Sequence, residues 1–178
     1  MLRLVPTQCV AIAFVLCGNS ALAATLEGRV VRIKDGDTVV VLDWSNRQHE
    51  VRLAGIDAPE KKQPFGTSAR QQLAALVFKE SVVVEWEKRD RYKRIVGKVL
   101  LESPKPVCVS ADCQQIQDAG LALITVGLAW HYKQYEREQS AMDRELYAQA
   151  EDAAKTTGLG LWKDPNPVPP WEWRKLKQ

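Results

Sequence analysis

The stretch from Asp35 to Glu60, DGDTVVVLDWSNRQHEVRLAGIDAPE, constrains this chain more than any other. Asp35-Gly36-Asp37-Thr38 opens onto four apolar residues, and Trp44-Ser45-Asn46-Arg47 has the polar character of a turn. A second strand-like run then delivers Arg52, and a break at Gly55 leads into Asp57-Ala58-Pro59-Glu60. Asp37, Asp57, Glu60 and Arg52 are therefore expected together at the ends of two neighbouring strands. Oxygen donors with no His or Cys close by suit a hard cation such as Ca²⁺ better than zinc. The plainer alternative is that Asp-Gly only makes a hairpin turn and Asp-x-Pro only opens a loop. Two such halves with an arginine between them favour a site.

A cation beside a guanidinium is what phosphodiester hydrolysis requires, because both can neutralise the charge of a pentacoordinate phosphorane. DGDT, VRLAGIDAPE and the later DRYKR (Asp90–Arg94) together resemble the thermonuclease, or staphylococcal-nuclease-like, family, over roughly Gly28 to Trp162. The resemblance implies that Asp37, Asp57 and the backbone carbonyl of Ala58 hold Ca²⁺, that Glu60 orients or deprotonates water, and that Arg52 and Arg94 grip the phosphate. Lys61, Lys62, Tyr92, Tyr132 and Tyr135 are the candidate substrate contacts, with Tyr132 and Tyr135 equally readable as core and rim aromatics. Many relatives have Thr where this chain has Ala58, and a backbone ligand tolerates that change. Lys93 stands where Gly is more usual before the second arginine.

Residues 1–23 have the form of a secretory signal peptide: Arg3 near the start, an apolar run from Val10 to Cys17, and Ala21-Leu22-Ala23 at the cleavage point. The run is too short to span a membrane, so the expectation is cleavage after Ala23, no anchor, and a periplasmic or secreted protein. Cys9 and Cys17 leave with that segment. Cys108 and Cys113 remain, and in an oxidising compartment a local disulfide is the favoured reading over a metal-binding pair. The formal charge of +3 does not by itself announce a polyanionic partner. Its distribution says more, since Lys88, Arg89, Arg91, Lys93, Arg94 and Lys98 cluster around a single Asp90.

Period-two patterning predicts strands over Leu26–Ile33, Thr38–Asp43, His49–Leu53, Val82–Trp86 and Ile95–Leu101, with Val31 and Ile33, Val39 and Val41, and Val51 and Leu53 facing inward. Ser68 is expected to cap a helix with the stripe Ala69, Leu73, Leu76 and Val77. Further helices are expected over Ile116–Val126 and 137–157, the last with Met142, Leu146, Ala150 and Ala153 on its apolar stripe. The fold expected is α+β, mainly β: five strands and three helices, which the resemblance closes into an OB-type Greek-key barrel. Residues 24–163 form the expected domain. Residues 164–178 are a tail whose four prolines between Asp164 and Pro170 exclude a continuing helix, and its Trp171 and Trp173 are expected to pin it by burial. His131, alone in an aromatic patch, reads as structural rather than as a general base.

The resemblance implies a monomeric Ca²⁺-dependent phosphodiesterase acting on DNA and RNA with little base selectivity, leaving 3′-phosphate ends. The competing readings are a catalytically inactive OB-type nucleic-acid-binding module, which should lack motif carboxylates, and an exported interaction domain working through its Trp/Pro tail.

Overall fold

The computed structural model describes residues 24–102 and 116–176. The signal-peptide segment and the Cys108–Cys113 pair lie outside the described residues. The first three strands, β1 (Ala24–Ile33), β2 (Thr38–Asp43) and β3 (Gln48–Leu53), form an antiparallel meander. A two-residue strand β4 (Ile56–Asp57) and helix α1 (Gly66–Val77) lead to β5 (Ser81–Arg89) and β6 (Ile95–Glu102). Strand β5 pairs antiparallel with β1 and β6, and β3 pairs parallel with β6. That last pairing returns the sheet to its own edge, so β1, β2, β3, β6 and β5 close a five-stranded barrel, and closure removes the exposed edges. The chain then adds β7 (Ile116–Asp118), α2 (Ala119–Thr125), β8 (Trp130–His131), α3 (Ala141–Thr156) and α4 (Pro170–Lys175).

The barrel interior is filled by β-branched and aliphatic side chains, among them Val39, Val41, Val51, Leu53, Val84, Ile95 and Val99. In β1 the inward residues are Val30 and Ile33, whereas Val31 is only partly buried. The expected alternation fails because the β1–β2 register shifts between Val30 and Arg32. The extra residue of a bulge lets two positions three apart face the same way.

Helix α1 begins two residues before Ser68, at Gly66, and Phe65 enters it from the left-handed region without a side-chain cap. The turn that starts it is fixed by backbone bonds from Gln63 N to Glu60 O and from Gly66 N to Gln63 O. A Cβ at Gly66 would lie 2.0 Å from Glu60 O, so only glycine fits there. Gly66, Ala69, Leu73 and Val77 form its buried face, with Leu76 packed at the margin. The helix expected over Ile116–Val126 is divided. Ile116–Asp118 extends the sheet beside β6, and Asp118 then caps α2 by accepting from the amides of Gly120 and Leu121. In α3, capped by Ser140, the buried face is Tyr147, Glu151 and Ala154; Met142, Leu146 and Ala153 lie on the exposed side. Tyr147 reaches across to donate from Oη to Asp118 Oδ2 at 2.7 Å, and Glu151 accepts from the amide of His131 at 3.0 Å. Polar partners rather than an aliphatic stripe turned this helix, which is why the apolar spacing was misleading.

Two hairpins are built alike. Between β2 and β3, Asp43 Oδ1 accepts from the amides of Ser45 and Arg47, and Asp43 Oδ2 accepts from Arg47 Nε. Between β5 and β6, Asp90 Oδ1 accepts from the amides of Tyr92 and Arg94, and Asp90 Oδ2 accepts from Arg94 Nε. Asn46 and Lys93 hold the matching left-handed positions, with φ of 59° and 65°. The family's usual glycine before the second arginine is thus explained, and Lys93 adopts the same conformation at some strain.

Candidate active site

Antiparallel pairing of β2 and β3 places Thr38 opposite Arg52, and the amide of Leu53 donates to Asp37 O at 2.8 Å. Asp37 and Arg52 thereby meet at one end of the barrel. Asp57 arrives from β4, which is held in place by pairing with β8, Ile56 to His131 and Asp57 to Trp130. Arg52 lies between the carboxylates: Nη1 donates to Asp37 Oδ2 at 2.9 Å and Nη2 to Asp57 Oδ1 at 3.1 Å. Asp37 also accepts from Thr38 Oγ1 and from the amide of Ala58. The DGDT turn is therefore both a turn and part of the site. Asp35 Oδ1 accepts the Asp37 amide, and a Cβ on Gly36 would lie 2.7 Å from that of Ala58. Glycine at 36 lets the two motifs approach each other.

These groups face a cleft of about 570 Å³. Asp35, Asp37, Ala58, Glu60, Arg52 and Arg94 all line it, with Tyr92 from the β5–β6 turn and Tyr132 and Tyr135 from the segment after β8. Asp57 lies behind them with no side-chain exposure. Lys61 and Lys62 are exposed on the turn after Glu60 and are not part of the cleft wall. Arg94 is held by Asp90 at 2.7 Å and lies over the ring of Tyr92. His131 is buried outside the cleft wall, edge-on to Tyr147 and bonded through Nε2 to Gln139 Oε1.

The electrostatics follow from crowding carboxylates where water is scarce. Burial, reinforced by the neighbouring Asp37 carboxylate, pushes the Asp35 carboxyl up to about 6. Burial also raises Asp57, against the opposing pull of its hydrogen bond from Arg174. For Arg52 burial works against the charge, and Asp37 and Asp57 more than restore it.

Sequence reasoning missed Arg174. Helix α4 folds back onto the cleft, with Trp171 stacked on Tyr132 at a centroid distance of 5.3 Å and T-shaped to Trp130 at 5.6 Å. Gln63 Nε2 donates to Val168 O at 2.6 Å and ties down the preceding proline segment. Arg174 then donates to Asp57 Oδ2 at 2.7 Å, to Glu60 Oε1 at 2.8 Å and to Asp57 Oδ1 at 3.3 Å. The available signal was a cation flanked by two tryptophans after a proline run, which marks a docked tail but not its docking point.

Among the described residues no group of three or more His, Cys, Asp or Glu side chains is disposed to hold a metal ion. The donor chemistry nonetheless fits an oxygen-seeking divalent cation. Oxygens of Asp37 and Asp57, brought from two motifs, are joined by the one guanidinium of Arg52. Among the described residues no helix is long and apolar enough to cross a membrane.

A closed barrel with carboxylates and arginines gathered at one end defines a class of protein, and comparison with known sequences identifies it. Residues 50–164 match the model of the staphylococcal nuclease homologue family. The chain is 40% identical over 172 residues to a micrococcal nuclease of Shigella flexneri, covering 96% of this chain and 93% of that one. It is 40% identical to the protein ParB of Escherichia coli, covering 90% of this chain and 86% of that one. An uncharacterised endonuclease of Haemophilus influenzae is 37% identical, with 84% and 74% covered. This chain belongs to the staphylococcal nuclease homologue family.

Proposed function

We propose that the protein is an exported, Ca²⁺-dependent nuclease that hydrolyses phosphodiester bonds of DNA and RNA and leaves 3′-phosphate ends. The observation that carries this reading is the gathering of Asp37, Glu60 and Arg52 on one cleft, with Asp57 bonded to Arg52 directly behind them and Arg94 on the wall. Asp37 and Asp57, with the Ala58 carbonyl, would hold the cation, which supplies charge neutralisation at a phosphoryl oxygen. Arg52 and Arg94 orient the phosphate through planar paired N–H donors, a geometry that a lysine ammonium lacks. Glu60 takes a proton from the attacking water as its oxygen bonds to phosphorus. The bond from phosphorus to the 5′ oxygen breaks, and that oxygen is protonated from solvent. Tyr92, Tyr132 and Tyr135 offer ring faces to bases of any identity, and a grip centred on phosphate carries no sequence information. The inactive-module alternative is disfavoured because every motif carboxylate is present and gathered.

The deciding experiment is cleavage of single- and double-stranded DNA and of RNA, with and without chelator, followed by end-group analysis. Cleavage that chelator abolishes, that Ca²⁺ restores and that leaves 3′-phosphates is expected. Full activity in excess chelator would refute the cation assignment, and no cleavage of any substrate would restore the binding-module reading. Export and the disulfide rest on the sequence. The mature form should begin at Ala24 and contain no free thiol, which mass spectrometry of the exported protein tests together.

A further inference from the structure

Asp57 has no free oxygen. Its Oδ1 accepts from Arg52 Nη2 at 3.1 Å and Arg174 Nη1 at 3.3 Å, and its Oδ2 accepts from Arg174 Nη2 at 2.7 Å. A carboxylate offers about four lone-pair positions, and the side chain has no solvent exposure. A Ca²⁺ ion would need to approach to about 2.3–2.6 Å, within the space that the Arg174 fork fills. The two arginines differ in how they are held. Arg52 projects from a barrel strand and is 19% exposed, whereas Arg174 is 40% exposed and rides on a six-residue helix. That helix is fastened to the body by the Trp171–Tyr132 stack, the Trp171–Trp130 contact, the buried Pro170 ring and Trp173, whose indole nitrogen is buried, and the segment before it by the Gln63–Val168 bond. Arg174 is the more exposed of the two guanidiniums on Asp57.

We propose that Arg174 is the residue that sets the cation affinity of this site: it occupies the cation's place on Asp57 while pinning Glu60, and a divalent cation binds by displacing it. The inference rests on the reading that Asp37 and Asp57 bind the cation. Its second consequence concerns the substrate surface. Because Trp171 covers one face of Tyr132, withdrawal of the tail exposes that ring, and releases Glu60 from the cation that now holds its Oε1. Cation binding and opening of the substrate platform are thereby a single event.

The test is calorimetric titration of CaCl₂ into the full-length exported protein and its Arg174→Gln, Arg174→Lys, Trp171→Ala and Asp37→Ala variants. Hydrogen exchange of the amides of residues 171–176 is followed in parallel. A tail that leaves the site open about a tenth of the time lowers apparent affinity about tenfold. Arg174→Gln should therefore bind Ca²⁺ about tenfold more tightly than wild type, with Arg174→Lys between them. Trp171→Ala, which loosens the tail without altering a carboxylate, should move in the same direction and guards against a folding defect in the first variant. Exchange in the tail should quicken when Ca²⁺ is added to wild type and be fast without it in Arg174→Gln. Equal or weaker Ca²⁺ binding by both Arg174→Gln and Trp171→Ala would overturn the inference, as would tail exchange that Ca²⁺ does not change. If Asp37→Ala abolishes binding while Arg174→Gln matches wild type, this inference alone fails. No Ca²⁺ binding by any chain refutes both it and the cation assignment.

Discussion

Replacing Arg52 with Gln removes the donor that spans Asp37 and Asp57, and its cost can be worked from the geometry. Two charge-assisted bonds of 2.9 and 3.1 Å are lost, and the carboxylates left behind are 7% and 0% exposed. Removing one partner from a buried ion pair costs roughly 3–5 kcal/mol. The 19% exposure of Arg52 and the second guanidinium already on Asp57 place this case at the lower end, about 3 kcal/mol. For a domain of this size that is a fall in Tm of about 6–12 °C. The assay is urea unfolding in chelator and again in excess Ca²⁺. A ligand at about 100 times its Kd stabilises by about 2.7 kcal/mol, so Ca²⁺ should return most of what Arg52→Gln loses. A variant within about 0.5 kcal/mol of wild type in chelator would refute the idea that Arg52 holds the two carboxylates together.

Arg94→Lys should lower turnover about 10²–10³-fold, the scale of losing one preorganised donor to developing charge, with substrate affinity nearly unchanged; single-turnover cleavage at fixed salt tests this, and near-normal rates would return Arg94 to a purely structural place in its hairpin. Tyr147→Phe should cost about 1–3 kcal/mol in urea unfolding by leaving the Asp118 carboxylate, only 9% exposed, short of a donor, while leaving cleavage intact. The His49 ring and the amides of its hairpin hold the Asp43 carboxyl well below the usual carboxylate range. Its contribution to stability is therefore complete above about pH 4 and is lost as pH falls toward the lowered folded value; Asp43→Asn should flatten that acid limb in pH-dependent melts.

The barrel strands were legible because period two survives in the sequence of most of them, and β2, with Val39, Val40 and Val41 all buried, still reads as an apolar strand. The alternation failed at Val31, where a bulge between Val30 and Arg32 inserts a residue that no local pattern announces, and a second register shift falls between Trp86 and Lys88. The helix ends were less legible. Asp118 and Ser140 are ordinary capping residues preceding apolar or helix-forming runs, and reading them as caps would have started α2 and α3 at the right places. The inward face of α3 was hidden because its anchors, Tyr147 and Glu151, are chosen by distant polar partners. The site was readable where it is contiguous: Asp37, Arg52, Asp57 and Glu60 belong to two short motifs that one strand pairing joins. Arg174 was not, since it meets Asp57 from 117 residues away through a turn of chain with no periodicity to guide the eye.

The paired Asp43–Arg47 and Asp90–Arg94 hairpins give the molecule its own internal reference. Both hold an aspartate, a left-handed residue and an arginine in the same local arrangement, yet Arg47 is 73% exposed at the turn and Arg94 is 20% exposed on the cleft wall. Evolution or an experimenter can therefore alter the same five-residue device in two settings, one bare and one facing the reaction. What an arginine costs the turn is read at 47; what remains at 94 after that subtraction belongs to the substrate.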